Sequence, residues 1–133
     1  MTDLNDIAGR EDIERLVNSF YDKVKADEVI GHIFHKIIGE DWSHHLPVMY
    51  QFWETVILAK PGYTGNPVKK HIEIDKKIPL REEHYRQWLK LWSETVDAMF
   101  TGPNAREIKK RATLMMGLIS MKVDWSRQDG SVL

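Results

Sequence analysis

Of the side chains that can hold a metal or pass a proton near neutral pH, histidine is the most versatile, and this chain has six. His32, His35, His44 and His84 have no partner at metal-ligand spacing, and neither HxxxH nor HExxH occurs, which leaves a zinc hydrolase with little support. His71 differs in its setting. It follows KPGYTGNPVKK, where Pro61, Gly62, Gly65 and Pro67 cost helix propensity or remove a backbone donor, so residues 60–72 read as a loop that delivers an imidazole at its end. Three further polar groups fall on apolar helical faces: the Tyr21 hydroxyl, the His45 ring and the Trp88 indole N–H. His45 shares a face with Met49, Phe52 and Val56, whereas His44 turns roughly 100° away, so one of the two is expected to serve a cavity.

These four groups have a common use. Iron in a porphyrin needs an axial imidazole, aromatic and methionine walls, and donors beside a bound diatomic gas. O₂ on ferrous iron takes up negative charge, and donors in a low-dielectric pocket stabilise that charge more strongly than water would. Each residue also has a plainer reading. A tyrosine or tryptophan at helical spacing is ordinarily core, and a lone histidine between lysines is ordinarily solvated. The alternative is therefore a haem-free helical interaction module.

The elements that must position these residues follow from apolar periodicity. Ile13, Leu16, Val17, Phe20, Tyr21 and Val24 mark a helix over 11–25 after a short, frayed lead-in. Residues 27–38 predict a helical turn or two, broken near Gly31 and ended at Gly39. Trp42, Leu46, Met49 and Trp53 predict a helix over 41–60, with Asp41 or Ser43 as cap and Pro47 in the first turn. IEIDKKIPL, beyond His71, is expected to be irregular, with a helical turn around His71. Tyr85, Trp88, Leu89, Trp92, Val96 and Met99 predict a helix over 80–100, and Asn104 is the candidate cap of a last one before a polar tail. The sum is an all-α chain of about five helices.

Composition bounds the rest. At 133 residues the expectation is a single domain spanning 1–133, with its core over about 11–123. A net charge of −1, with both signs interspersed, gives no footprint for nucleic acid or for a membrane surface. The polar, acidic start and the lack of a spanning apolar run predict a cytoplasmic protein. With no cysteine, disulfides and thiolate chemistry are excluded, and any metal must be held by histidine or carboxylate.

Two motifs narrow the reading. Tyr63, Gly65, Pro67 and His71 form Y-x-G-x-P-x-x-x-H, and His84, Tyr85, Trp88 and Leu89 form H-[FY]-x-x-W-L. Together with Phe20-Tyr21, Phe34, and Trp42 and His45 followed by Phe52-Trp53, they resemble the third group of truncated haemoglobins over nearly the whole chain. That resemblance implies a two-over-two helical sandwich around haem b (iron protoporphyrin IX), with His71 as proximal iron ligand and Tyr21, His45 and Trp88 as the distal polar set. It further implies cofactor contacts from Phe34, Met49, Phe52, Trp53, Pro67 and Tyr85. Met49 would lie over the distal face, where a branched aliphatic residue is expected. Lys70, beside His71, could pair with a haem propionate. O₂, NO or CO would be the ligand. The family's proposed roles include oxygen binding and transport, NO chemistry and peroxide or redox reactions, the latter needing a reductase.

Overall fold

The computed structural model describes residues 3–132, with side chains through residue 128. Among them the regular structure is six helices: α1 Arg10–Ala26, α2 Gly31–Ile38, α3 His45–Leu58, α4 Pro67–Lys77, α5 Glu82–Met99 and α6 Pro103–Val132. In α1 the buried face is Ile13, Leu16, Val17, Phe20, Tyr21 and Val24, with Glu11 and Asp12 in the first turn and Lys23 and Lys25 in the last, as the helix dipole favours. The Asp27 carboxylate accepts the N–H groups of Val29 and Ile30 at 2.9 Å and so shapes the entry to α2. Gly39, at φ 82, ends it.

The largest departure from expectation is α4. His71 does not arrive on a loop: the helical turn expected around it is the middle of a helix of 11 residues, and all of IEIDKK, expected to be irregular, is helical too. The breakers act only up to residue 67. Pro67 occupies the first helical turn, where its missing N–H removes nothing, and the Asn66 side chain caps the helix by accepting the Lys69 N–H at 3.1 Å.

Smaller corrections follow the same logic of end effects. Helix α3 begins at His45 and not at Asp41, whose carboxylate instead accepts the Ser43 N–H at 3.0 Å in a local turn. The start of α6 is capped from a distance: Asp6 accepts the N–H groups of Asn104 and Ala105, each at 2.9 Å, while the Asn104 side chain, the expected cap, donates to Ile7 O at 2.7 Å. The lead-in is thus packed, with Ile7 1% exposed. The expected polar tail continues α6 as helix.

Helix α1 packs across α3 and α5, α6 packs across α5 and α3, and α4 rests on α6. At one end of this two-layer arrangement the interior is solid. Phe20 sits edge-on to Trp88 and Trp92, at 5.0 and 4.9 Å between ring centres, and Trp92 stacks on Trp53 at 4.6 Å.

Candidate functional site

At the other end the helices do not close. Between them lies a cavity of 860 Å³, and every residue singled out for a cofactor lines it: Tyr21, Phe34, His45, Met49, Phe52, Trp53, Pro67, Lys70, His71, Tyr85 and Trp88. Lys70 stands exposed at the rim. His44, expected to turn away, is also exposed beside the opening, so the 100° step separates rim from interior and not cavity from solvent.

His71 is oriented by its own helix. Its Nδ1–H donates to Pro67 O at 2.7 Å, four residues back, which fixes the tautomer and leaves the Nε2 lone pair free. Burial pushes the imidazole's pKa below its usual value, so it is neutral at pH 7. The preceding loop shows why its residues are spaced as they are. The Tyr63 ring packs edge-on to Phe52 at 4.9 Å and crosses Gly65 so closely that a Cβ there would meet the phenol oxygen at 2.5 Å. Tyrosine and glycine thus form one close contact in the loop, and proline and histidine another in the helix that follows.

A second polar group sits on α1 and α3. His45 Nε2 and the Tyr21 hydroxyl are 3.3 Å apart. Burial raises the Tyr21 pKa and lowers that of His45, so at pH 7 the pair is a neutral phenol beside a neutral imidazole. Trp42 supports both rings from outside the cavity, at 5.3 Å from Tyr21 and 5.7 Å from His45, and is itself tied by its indole N–H to Gly39 O at 3.1 Å. Trp88 lines the same cavity, and its indole N–H has no hydrogen-bond partner among the described residues. No hydrogen bond or ring contact joins His71 to Tyr21, His45 or Trp88, so space is left between the two polar groups.

Sequence reasoning missed several wall residues. Ile30 comes from the cap of α2 and Ile33, Ile37 and Ile38 from α2 itself, Ile74 and Leu80 from α4 and the turn after it, and Met115 and Met116 from α6. Apolar periodicity had marked most of them as inward-facing but could not separate wall from filled core. No cluster of three or more His, Asp or Glu at metal-binding distance exists among the described residues, so a bare metal centre is not built here.

An all-helical two-layer fold around one apolar cavity, with a lone imidazole on one part of its wall and a phenol, an imidazole and an indole on another, defines a globin. The bacterial-like globin family model matches residues 3–122. The group 3 truncated hemoglobin ctb of Campylobacter jejuni is 32% identical over 109 residues, which cover 80% of this chain and 84% of that protein. The crystal structure of the group III truncated hemoglobin from Campylobacter jejuni aligns with a TM-score of 0.83 and 27% identity, over 91% of this chain and 95% of that one. The chain belongs to the bacterial-like globins, and its fold is that of a truncated globin.

Membership implies a haem cofactor and diatomic gas ligands, and the residues present fit a haem. His71, half-buried on the wall of a large apolar cavity, has its Nδ1 engaged and its Nε2 free, and the walls are aromatic, isoleucine and methionine. In addition, the Tyr85 hydroxyl on that wall is buried with no partner among the described residues, the condition of a polar atom whose surroundings are incomplete. No described helix is long and apolar enough to cross a membrane.

Proposed function

We propose that this chain is a single globin unit that holds haem b through His71 and binds O₂, NO or CO reversibly beside Tyr21, His45 and Trp88, in a cytoplasmic setting. The observation that carries the reading is the His71–Pro67 hydrogen bond, which presents an unprotonated Nε2 to an 860 Å³ apolar cavity. When bound, haem supplies a ferrous iron able to take a diatomic ligand; the protein decides how long that ligand stays.

His71 would hold the cofactor iron through Nε2, and Phe34, Met49, Phe52, Trp53 and Tyr85 would keep water from the cofactor. Lys70, at the rim, offers a cation to a propionate. Tyr21 and His45 share their protons. With the imidazole proton on Nε2, the ring donates to the phenol oxygen and the phenol O–H is free to turn into the cavity. With the proton on Nδ1, the phenol is occupied as donor to Nε2. The Trp88 N–H, which has no partner among the described residues, is a donor in either case. Such donors strengthen with negative charge on the ligand and so slow its release. The same set serves reaction with NO or peroxide when a reductase restores the ferrous state. Repeated NO consumption under a reductant measures whether turnover adds to binding.

A haem-free interaction module leaves the cavity and the free Nε2 without a role. The test is the absorption spectrum of purified protein in the ferric, ferrous and ferrous-CO states. A Soret band that collapses in His71→Ala is expected, and protein that neither carries nor takes up hemin overturns the reading.

A further inference from the structure

Asp75 lies four residues beyond His71 on α4, one helical turn along the same face. In sequence it belongs to a run with Lys76 and Lys77, yet those lysines are exposed while Asp75 turns inward and is 9% exposed. Its carboxylate is fully engaged. Arg127 on α6 approaches it side-on, Nε donating to Oδ2 at 3.0 Å and Nη2 to Oδ1, and the Leu80 N–H donates to Oδ1 at 2.8 Å. The same guanidinium donates to Leu80 O at 2.7 Å. One arginine therefore joins the imidazole-bearing helix, the turn that follows it and the late part of α6. Leu80, in that turn, is itself a wall of the cavity.

We propose that the Asp75–Arg127 pair is the positioning device of the proximal imidazole, so that α6, 56 residues away in sequence from His71 at Arg127, sets how His71 meets the cofactor iron. This rests on the reading of His71 as iron ligand. Three features make the pair more than a surface ion pair. It is bidentate, which fixes both angle and distance. It acts on a helix whose principal packing partner is α6, so little else resists a slide or tilt of α4. And its carboxylate is shielded, Asp75 being 9% exposed beside a Tyr85 hydroxyl that is buried with no partner among the described residues and whose pKa is pushed up to about 12 by burial and by the Asp75 charge, while Arg127 reaches it from the more open side, 44% exposed. A shift of α4 moves the imidazole ring together with the Pro67 carbonyl that orients it, which alters the pull on iron without disturbing the tautomer.

The experiment uses holoprotein of the wild type and of Asp75→Asn, Arg127→Met and Arg127→Lys. Three quantities are read: the iron–histidine stretching frequency of the ferrous five-coordinate form by resonance Raman, the rate of hemin transfer to excess apomyoglobin, and the melting temperature of the apoprotein. The expected result is a shifted stretching frequency and hemin transfer faster by roughly ten- to a hundredfold in Asp75→Asn and Arg127→Met, with partial recovery in Arg127→Lys. An unchanged frequency and transfer rate, with only the melting temperature lowered, overturns the inference and leaves the haem reading intact. Wild-type ligation in His71→Ala overturns both.

Discussion

The same three helices, α1, α3 and α5, build a solid end and a hollow end, often with neighbouring residues. Phe20 is 0% exposed inside an aromatic cluster, and Tyr21, the next residue, faces the cavity. Trp92 is 0% exposed, and Trp88, one turn earlier, is wall. Helical periodicity decides which side of a helix points inward; whether that interior is filled depends on how far neighbouring helices stand off. Here α2 and α4 bracket the hollow end with isoleucines and an imidazole. A ligand bound between the helices of the cavity end adds its binding energy to that end, whereas the solid end is held by its own close packing.

Mutations that act on one end only test this division. His71→Ala should have the largest effect, abolishing axial ligation in the ferrous absorption spectrum while the apoprotein keeps its helical circular dichroism. Trp92→Ala, at the solid end, should destabilise the apoprotein by about 3–5 kcal/mol in urea denaturation. Met49→Ala, facing the void, should cost about 1 kcal/mol, and equal losses for the two would mean that the ends are not distinct. Tyr21→Phe should speed O₂ release in stopped-flow by roughly ten- to a hundredfold, matching the 1.5–3 kcal/mol of a hydrogen bond to a charged acceptor, with little change in apoprotein stability. Asp6→Ala should lower stability by about 1 kcal/mol through the lost cap of α6 and leave the gas kinetics unaltered.

Acidification gives the most gradual effect. Burial lowers the pKa of both His45 and His71, so the unfolded chain takes up their protons first. Their contribution is fully present above the unfolded value of about 6.5 and declines as pH falls towards the lower folded values. Urea midpoints at pH 7.5 and 5.5 check this, and a double His45→Gln, His71→Gln variant should flatten the difference.

Long helices with aromatic faces were legible because their periodicity is strong and their ends carry stop signals, as with Thr101, Gly102 and Pro103 after α5. Helix α4 was not. Its charged, weakly periodic sequence is held by an Asn66 cap, by packing on α6 and by Arg127, and the last two are tertiary. The inward turn of Asp75 was masked by its lysine neighbours for the same reason. In the site, helical spacing was enough to mark Tyr21, His45 and Trp88 as inward, but the Pro67 carbonyl became visible as the partner of His71 only once both stood on one helix. Asp6 could not have been read as the cap of α6, because 98 and 99 residues separate it from the amides it serves.

That separation has a kinetic consequence. Contacts between residues so far apart in sequence form late, so the Asp6 carboxylate clasps the start of α6 as a closing step and not as a nucleus. The tryptophan cluster, built from closer segments, can assemble before that clasp is made.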